Sequence, residues 1–480
     1  MTSTIPRLTR TTPAPKAGIV HLGLGAFFRA FGVPQIEDAM KASGGDWGIV
    51  GVSLQSPTIR DALAPQGFCY TAAELTPEGE RLRTLHAVSN VLVAPEDPEA
   101  VLAAMSDPAI RIVSLTVTEK GYCHDPATGK LNLEHPGIKA DLANALPVTA
   151  PGFLVRALKR RKAANIPPFT ILCCDNLPAN GRVVRSIVTD LARRIDPELA
   201  NWITRRARFP STMVDRIVPA TTTADIERIA AAQGELDAAP VVHEPFRQWV
   251  IEDDFVPDYA ADRRPALEHA GALLVSDVHP FENMKLRMLN GTHSALAYLG
   301  YLAGHETVSS ASSDPVFERF LKHLWANEIA PSFSAPEGVD LGSYAAALLA
   351  RYQNPAIRHR TWQIAMDGSQ KLPQRILATL ADNQRKGVRS KGLTLVIAAW
   401  MKYVSGRDLQ GNSIDVRDAM GERLAEVVSG SNDGMERVDA LLELTEIFPP
   451  ELAVSIRDDV GRAYIGMTDT SVQASLAGIT

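Results

Sequence analysis

"AGIVHLGLGAFFRAF", residues 17–31, decides how the chain is read. A short apolar run meets two glycines and passes into a segment with helical spacing. The spacing predicts a buried strand, a tight turn at Gly23 and Gly25, and a helix. Glycine at such a turn lets the backbone approach a pyrophosphate near a helix start. The third glycine of the usual dinucleotide fingerprint would fall at position 28, which is Phe28. Two readings stand: a cofactor turn, or a tight strand-to-helix turn with no ligand. Strand character on both sides favours the dinucleotide.

Outward from this turn the pattern repeats. "DWGIVGVSL" (46–54), "IRIVSLTVTE" (110–119) and "FTILCCDNL" (169–177) read as further strands, and "STMVDRIVPA" (211–220) resembles them. Helical patterns lie between, among them "EAVLAAMSD" (99–107) and "GFLVRALKRRKAAN" (152–165). Such alternation predicts an α/β fold with a parallel sheet. Ligands of these sheets sit beyond the C-terminal ends of the strands. The polar residues closing the runs are therefore candidates together: Thr118, Glu119, Asp175, Asn176 and Asp215. The acidic residue that commonly meets the adenosine ribose is missing after the second strand. Ser53, Gln55 and Ser56 stand there, and Arg60 could meet a 2′-phosphate, so NAD and NADP both remain open.

Near residue 279 the texture changes to helical periodicity. "DLGSYAAALLARYQN" (340–354), "LPQRILATLADNQRKG" (372–387) and "LTLVIAAWMKYVSG" (393–406) all predict helices. The expected organisation is an α/β domain over 1–278 and a mostly helical domain over 279–480. A length of 480 residues fits two domains better than one core.

Composition narrows the function classes. Hydrophobic residues make up 45% and charged residues 22%, as in ordinary globular proteins. A net charge of −6 gives no general attraction to nucleic acid or anionic membrane. No apolar run is long enough to span a bilayer. The lead-in "MTSTIPRLTRTTPAPKAG" lacks the apolar stretch of a signal peptide. Cys69, Cys123, Cys173 and Cys174 form neither a disulfide framework nor a Cys-x-x-Cys pair, so no structural zinc is expected. A reducing cytoplasm suits this composition.

"MKLRMLNGTHS" (284–294) sets Lys285, Asn290 and His293 in an apolar context. If residues 282–296 form an α-helix, Glu282, His293 and Asn290 lie about 60°, 80° and 140° from Lys285. All four then share one half of the helix. Leu286, Met288, Leu289, Ala295 and Leu296 predict burial nearly all round. A buried lysine driven toward neutrality can serve as a general base for an alcohol, and an asparagine amide can donate to a developing alkoxide. The alternative is a polar patch in which Lys285 pairs with Glu282.

With its neighbours, "KLRMLNGTHSALAYLGYLAG" resembles the Lys-x4-Asn-x2-His signature of the polyol-specific long-chain dehydrogenases, the mannitol dehydrogenase family. "SLTVTEKGYC", "CCDNLPANG", "FPSTMVDRIVP", "EPFRQWVIEDDF" and "WQIAMDGSQKLPQR" also look like family segments in family order, from about residue 18 to about 380. The resemblance implies a Rossmann-type domain followed by a helical domain, NAD as cofactor and no catalytic metal. It makes Lys285 the acid/base, with Asn176 and Asn290 holding the reacting oxygen. His293 would position substrate, and Glu282 would lie on the proton path. Asp215, Lys371 and Arg375 would be near the substrate. Gly23, Leu24, Gly25, Ala26, Phe27 and Arg29 would carry the cofactor, with Thr118 and Glu119 near its nicotinamide half.

Phe28 and Phe31 replace two histidines usual in the family turn. Gln363 stands where mannitol dehydrogenases tend to have arginine. "RHRTWQIAMDGSQKLPQR", "TEKGYC" and "QWVIEDDF" look more like fructuronate reductase (D-mannonate oxidoreductase). The implied reaction joins D-fructuronate and D-mannonate. A polyol dehydrogenase acting on mannitol or arabinitol is the alternative, and a silent dinucleotide sensor the more distant one. A uronate needs a cation for its carboxylate. Lys371, Arg375, Arg358 and Arg360 are the candidates, and most of the arginines also suit an ordinary surface.

Overall fold

The computed structural model describes residues 5–125 and 128–479. The first four residues of the lead-in lie outside that range. The chain divides into two compact units, Met1–His279 and Pro280–Thr480.

Among the described residues the first unit holds eleven strands: β1 (Ala17–Leu22), β2 (Gly48–Ser53), β3 (Tyr70–Thr76), β4 (Gly79–Leu85), β5 (Val88–Val93), β6 (Ile112–Leu115), β7 (Thr170–Cys173), β8 (Thr212–Asp215), β9 (Val241–His243), β10 (Gln248–Glu252) and β11 (Leu273–Val275). A five-stranded sheet runs β5-β2-β1-β6-β7, with every pair parallel. All four residues of β6 and of β7 are buried, which explains their unbroken apolar runs: helices cover both faces of such a sheet. The strand order reverses at β1, so the crevice between the ends of β1 and β6 is the expected ligand position.

Two further sheets were not foreseen as such. β8 does not extend the parallel sheet. It pairs antiparallel with β10 in the order β11-β10-β8, and Asp215 lies opposite Gln248. The segment before β8 is tied to the edge of β7, where Ile171 N–H donates to the Arg208 carbonyl, and the chain then diverges. β3 and β4 form an antiparallel hairpin, and β9 adds parallel to β3.

The second unit is helical. Leu341–Tyr352 and Lys391–Val404 occupy two of the predicted segments, and Pro450–Asp469 is the longest helix. The segment 372–387 is helical in two pieces, a π-helix Pro373–Leu377 and an α-helix Ala378–Arg385. The segment 282–296 is not one regular α-helix either. An α-helix His279–Met284 opens into a π-helix Lys285–Gly291 and closes again as Thr292–Leu302. The angles expected for 100° per residue therefore fail at the point of interest. With bonds from i to i+5, Lys285 and Asn290 stand one above the other, not about 140° apart. Burial is also less uniform than expected, since Glu282, Leu286 and Asn290 are half-buried.

Candidate active site

In the first unit the turn after β1 is shaped by its glycines. Gly23 has φ +88°, and a Cβ there would lie 2.3 Å from the Thr116 carbonyl oxygen. Only glycine fits. Gly25 is exposed, and a Cβ on it would meet no protein atom closer than 3.8 Å. The space beside Gly25 is open, which suits backbone approach by a pyrophosphate. The helix after the turn is broken: Ala26–Ala30 ends at Phe31, and Gly32–Ser43 follows. A Cβ on Gly32 would sit 2.2 Å from the Phe28 ring, so that ring occupies the break.

Phe28 stacks face to face on His21, with centroids 3.4 Å apart and planes 5° apart. His21 Nδ1 is 2.8 Å from Ser114 Oγ, and Nε2 is 2.9 Å from Thr116 Oγ1. Burial holds this imidazole down at about 3. The pair thus forms a neutral floor joining β1 to β6 under the turn. Phe31 is buried against Trp249.

Two residues expected at the cofactor present their side chains elsewhere. Leu24 is 3% exposed and packs over Gly51, so only its backbone is available to a ligand. Arg29 is buried, its Nη1 donates to the Ala239 carbonyl at 2.5 Å, and its guanidinium lies over the Tyr70 ring. Its side chain braces the turn from the protein interior. Ala26 and Phe27 are half-buried.

Across the crevice, β6 stops at Leu115, earlier than the apolar pattern suggests. Thr118–Gly121 is a short helix, with Thr118 at φ +64°. The Asp175 carboxylate accepts from Val117 N–H at 2.8 Å, from Thr118 N–H at 3.2 Å and from the Tyr122 hydroxyl. Burial pushes its carboxyl upward, and these three donors counter that. Asp175 is thus a clamp that positions the Thr118–Glu119 turn, and both residues of that turn are exposed. Asn176, the next residue, is exposed at the end of β7, and Asp215 is buried at the end of β8.

In the second unit Lys285 is buried, at 9% exposure. His293 is buried too, and its Nε2 has no hydrogen-bond partner. The ring packs on Tyr352 at 4.7 Å and meets His359 edge-on at 5.4 Å. Burial, and then the nearby His359, Arg351, Arg375 and Lys285, hold it well below the usual histidine range. It is therefore neutral, with one ring nitrogen free for a ligand. Arg375 donates to Ser294 at 3.3 Å, and a Cβ on Gly291 would lie 3.0 Å from the Arg375 carbonyl. The two π-helices are thereby packed together.

Lys371 is half-buried and donates to the carbonyls of Ile364 and Met366. Burial and the Arg375 charge lower it. An ammonium has three donors, so one remains. Arg358 and Arg360 are exposed, and Arg360 pairs with Glu306 at 3.6 Å. They are surface residues, as is Gln363.

Residues 17–262 match the mannitol dehydrogenase Rossmann domain, and residues 277–459 match the mannitol dehydrogenase C-terminal domain. The chain belongs to the mannitol dehydrogenase family. It is 46% identical over 441 residues to the D-mannonate oxidoreductase of Escherichia coli (strain K12), covering 90% of this chain and 89% of that one. It is similar to a crystal structure of D-sorbitol dehydrogenase in substrate-free form, at a TM-score of 0.90 and 34% identity over 98% of this chain and all of the other. The Pseudomonas fluorescens mannitol 2-dehydrogenase ternary complex with NAD and D-mannitol matches at 0.81 and 36%, covering 99% and 97%. This family membership makes the chain an oxidoreductase whose relatives act on polyols or sugar acids.

Sequence reasoning missed Arg351, Tyr352 and His359 around His293. Their signal was present in "LLARYQN" and "RHRTW", where an arginine and a tyrosine close an apolar helix and a histidine sits between arginines. Spacing alone could not connect segments about sixty residues apart.

Proposed function

We propose that this oxidoreductase uses NAD to interconvert D-fructuronate and D-mannonate. The observation that carries the reading is the cationic surrounding of His293. Arg351, Arg375 and Lys285 all act on one buried, neutral imidazole with an unpartnered nitrogen. A substrate carboxylate could form charge-assisted bonds with such cations that a neutral polyol cannot form.

Lys285 takes the proton of the substrate hydroxyl in oxidation and returns it in reduction. Asn290, one π-turn away, donates to the reacting oxygen, and the family resemblance gives Asn176 the same role. Glu282, half-buried in the preceding turn, carries protons to and from Lys285. His293 orients substrate through its free ring nitrogen. Gly23 and Gly25 carry the dinucleotide, which supplies or accepts the hydride when bound. Arg60 is held by Asp61 at 2.7 Å and by Glu96, and two carboxylates beside it disfavour a 2′-phosphate. That supports NAD over NADP.

The other reading is a polyol dehydrogenase. It is supported by Lys371, whose bonds to the Ile364 and Met366 carbonyls leave it a single donor for a substrate. A spectrophotometric comparison of fructuronate, fructose, tagaturonate and xylulose with NADH and NADPH tests both. Higher kcat/KM for fructose than for fructuronate would replace the uronate reading with the polyol one.

A further inference from the structure

A cavity of about 210 Å³ opens in the first unit between the β3–β4 hairpin, β9 and the helix Gly32–Ser43. Arg81, Arg83, Arg216 and Arg247 line it together with His243, and Glu74 is the carboxylate on its wall. None of these residues belongs to the glycine turn or to the lysine cluster.

The charges there are shared among several partners. Glu74 is shared, lying 3.3 Å from Arg81 and 3.8 Å from Arg216. Asp38 is shared as well, at 2.7 Å from Arg83 and 3.2 Å from Arg247. Glu37 also reaches Arg83, at 3.3 Å, but Lys41 and the backbone amides of His86 and Ala87 already hold it. The four guanidinium groups thus share Glu74 and Asp38, and the buried carboxylates of Glu37 and Glu244 act on Arg83 and Arg216 as well.

Arg216 is built in, not draped on the surface. Its side chain is 3% exposed. Its Nε donates to the Glu244 and Phe246 carbonyls, and its Nη1 donates to the Ala30 carbonyl at 2.6 Å. His243 Nδ1 lies 2.8 Å from the Glu244 carbonyl, which can only accept, so the proton is on Nδ1 and Nε2 is an acceptor. Burial and the charges of Arg216, Arg247 and Arg83 keep this ring neutral, at about 3. Arg216 Nη2 also faces the Pro245 carbonyl, so Arg216 shapes the wall, while Arg81, Arg83 and Arg247 present guanidinium groups for an oxyanion and His243 a ring nitrogen for a hydroxyl.

We propose that this cavity is a binding site for a small hydroxylated oxyanion, a phosphate or carboxylate group on a sugar-sized body. Because Arg216 holds the carbonyl of Ala30, which ends the first helix after the glycine turn, occupancy bears directly on the dinucleotide turn.

The test is isothermal titration of the NADH-free protein with inorganic phosphate, glucose 6-phosphate and gluconate at constant ionic strength, with chloride as control. Saturable one-site binding is expected. Arg81→Gln and Arg247→Gln, both at exposed residues, should each weaken it roughly tenfold, the usual worth of one charge-assisted bond. Arg228→Gln, outside the cavity, should leave it unchanged. Tighter binding of the sugar phosphate assigns the group as phosphate, and tighter binding of gluconate assigns it as carboxylate. No saturable heat, equal response to chloride, or affinities unchanged in both cavity variants would overturn the site.

Discussion

The His21 imidazole and the Phe28 ring lie parallel, 3.4 Å apart, beneath the turn that follows β1. The stack joins a strand to the helix it feeds. Phe28 is fully buried. Phe28→Ala should cost about 3–5 kcal/mol of stability, the usual range for an emptied aromatic site. Urea unfolding checks this, and a loss under about 1 kcal/mol would show that the stack contributes little.

Stability should also fall as the solution is acidified. His21 and His243 are both held down at about 3, against about 6.5 in an unfolded chain. Between those values the unfolded chain binds protons that the native chain does not, so acid favours unfolding. Each histidine contributes a slope of about 1.4 kcal/mol per pH unit across that window. Unfolding titrations at pH 7 and pH 5 should show the loss, and His21→Gln should make it shallower. A variant with the same slope as the parent would remove His21 from the account.

The two glycines of the turn should respond differently. Gly23→Ala forces a Cβ against the Thr116 carbonyl at a positive φ, so it should lower Tm and NADH affinity together. Gly25→Val meets open space, so it should keep Tm within a few degrees and still abolish NADH binding. Calorimetry of both variants separates the effects. Unchanged NADH affinity in Gly25→Val would place the pyrophosphate elsewhere.

Lys285→Ala should lower kcat by roughly 10²–10⁴-fold, the worth of a positioned acid/base, with NADH affinity within about twofold of the parent. Near-parental turnover would end the assignment of Lys285.

Charge reading should separate the substrates. Lys371→Met and Arg375→Met should each reduce kcat/KM for fructuronate by roughly ten- to a hundredfold, and for fructose far less. Equal losses on both substrates would show that neither cation meets a carboxylate.

Much of this architecture is legible in the residues. The apolar runs of β1, β2, β6 and β7 are short and bounded by turn formers, and each is a strand of the parallel sheet. The helical periodicity after residue 279 is equally plain. What escaped is what local pattern does not encode. β8 carries the same run as its predecessors yet pairs antiparallel, because its partner β10 lies more than thirty residues away. Arg29 reads as a cofactor arginine by its place in the turn, but the Ala239 carbonyl that receives it is 210 positions distant. The π-turn at Lys285 is invisible to a periodicity search, since its apolar residues satisfy an α-helical count almost as well.

That π-turn has a consequence for alignment and engineering. A π-helix inside an α-helix is geometrically an added residue that the helix absorbs as a bulge. Removing a single residue from Lys285–Gly291 would let the segment anneal into continuous α-helix, with apolar composition intact and no charge exposed. Because the bulge absorbs its extra residue, the flanking helices His279–Met284 and Thr292–Leu302 would keep nearly their present phase, and only the register inside Lys285–Gly291 would change. Such a chain would keep its flanking helices and lose the i-to-i+5 bonding of the Lys285–Gly291 turn. A one-residue deletion there therefore probes the spacing of Lys285 and Asn290 while leaving the rest of the helix in place.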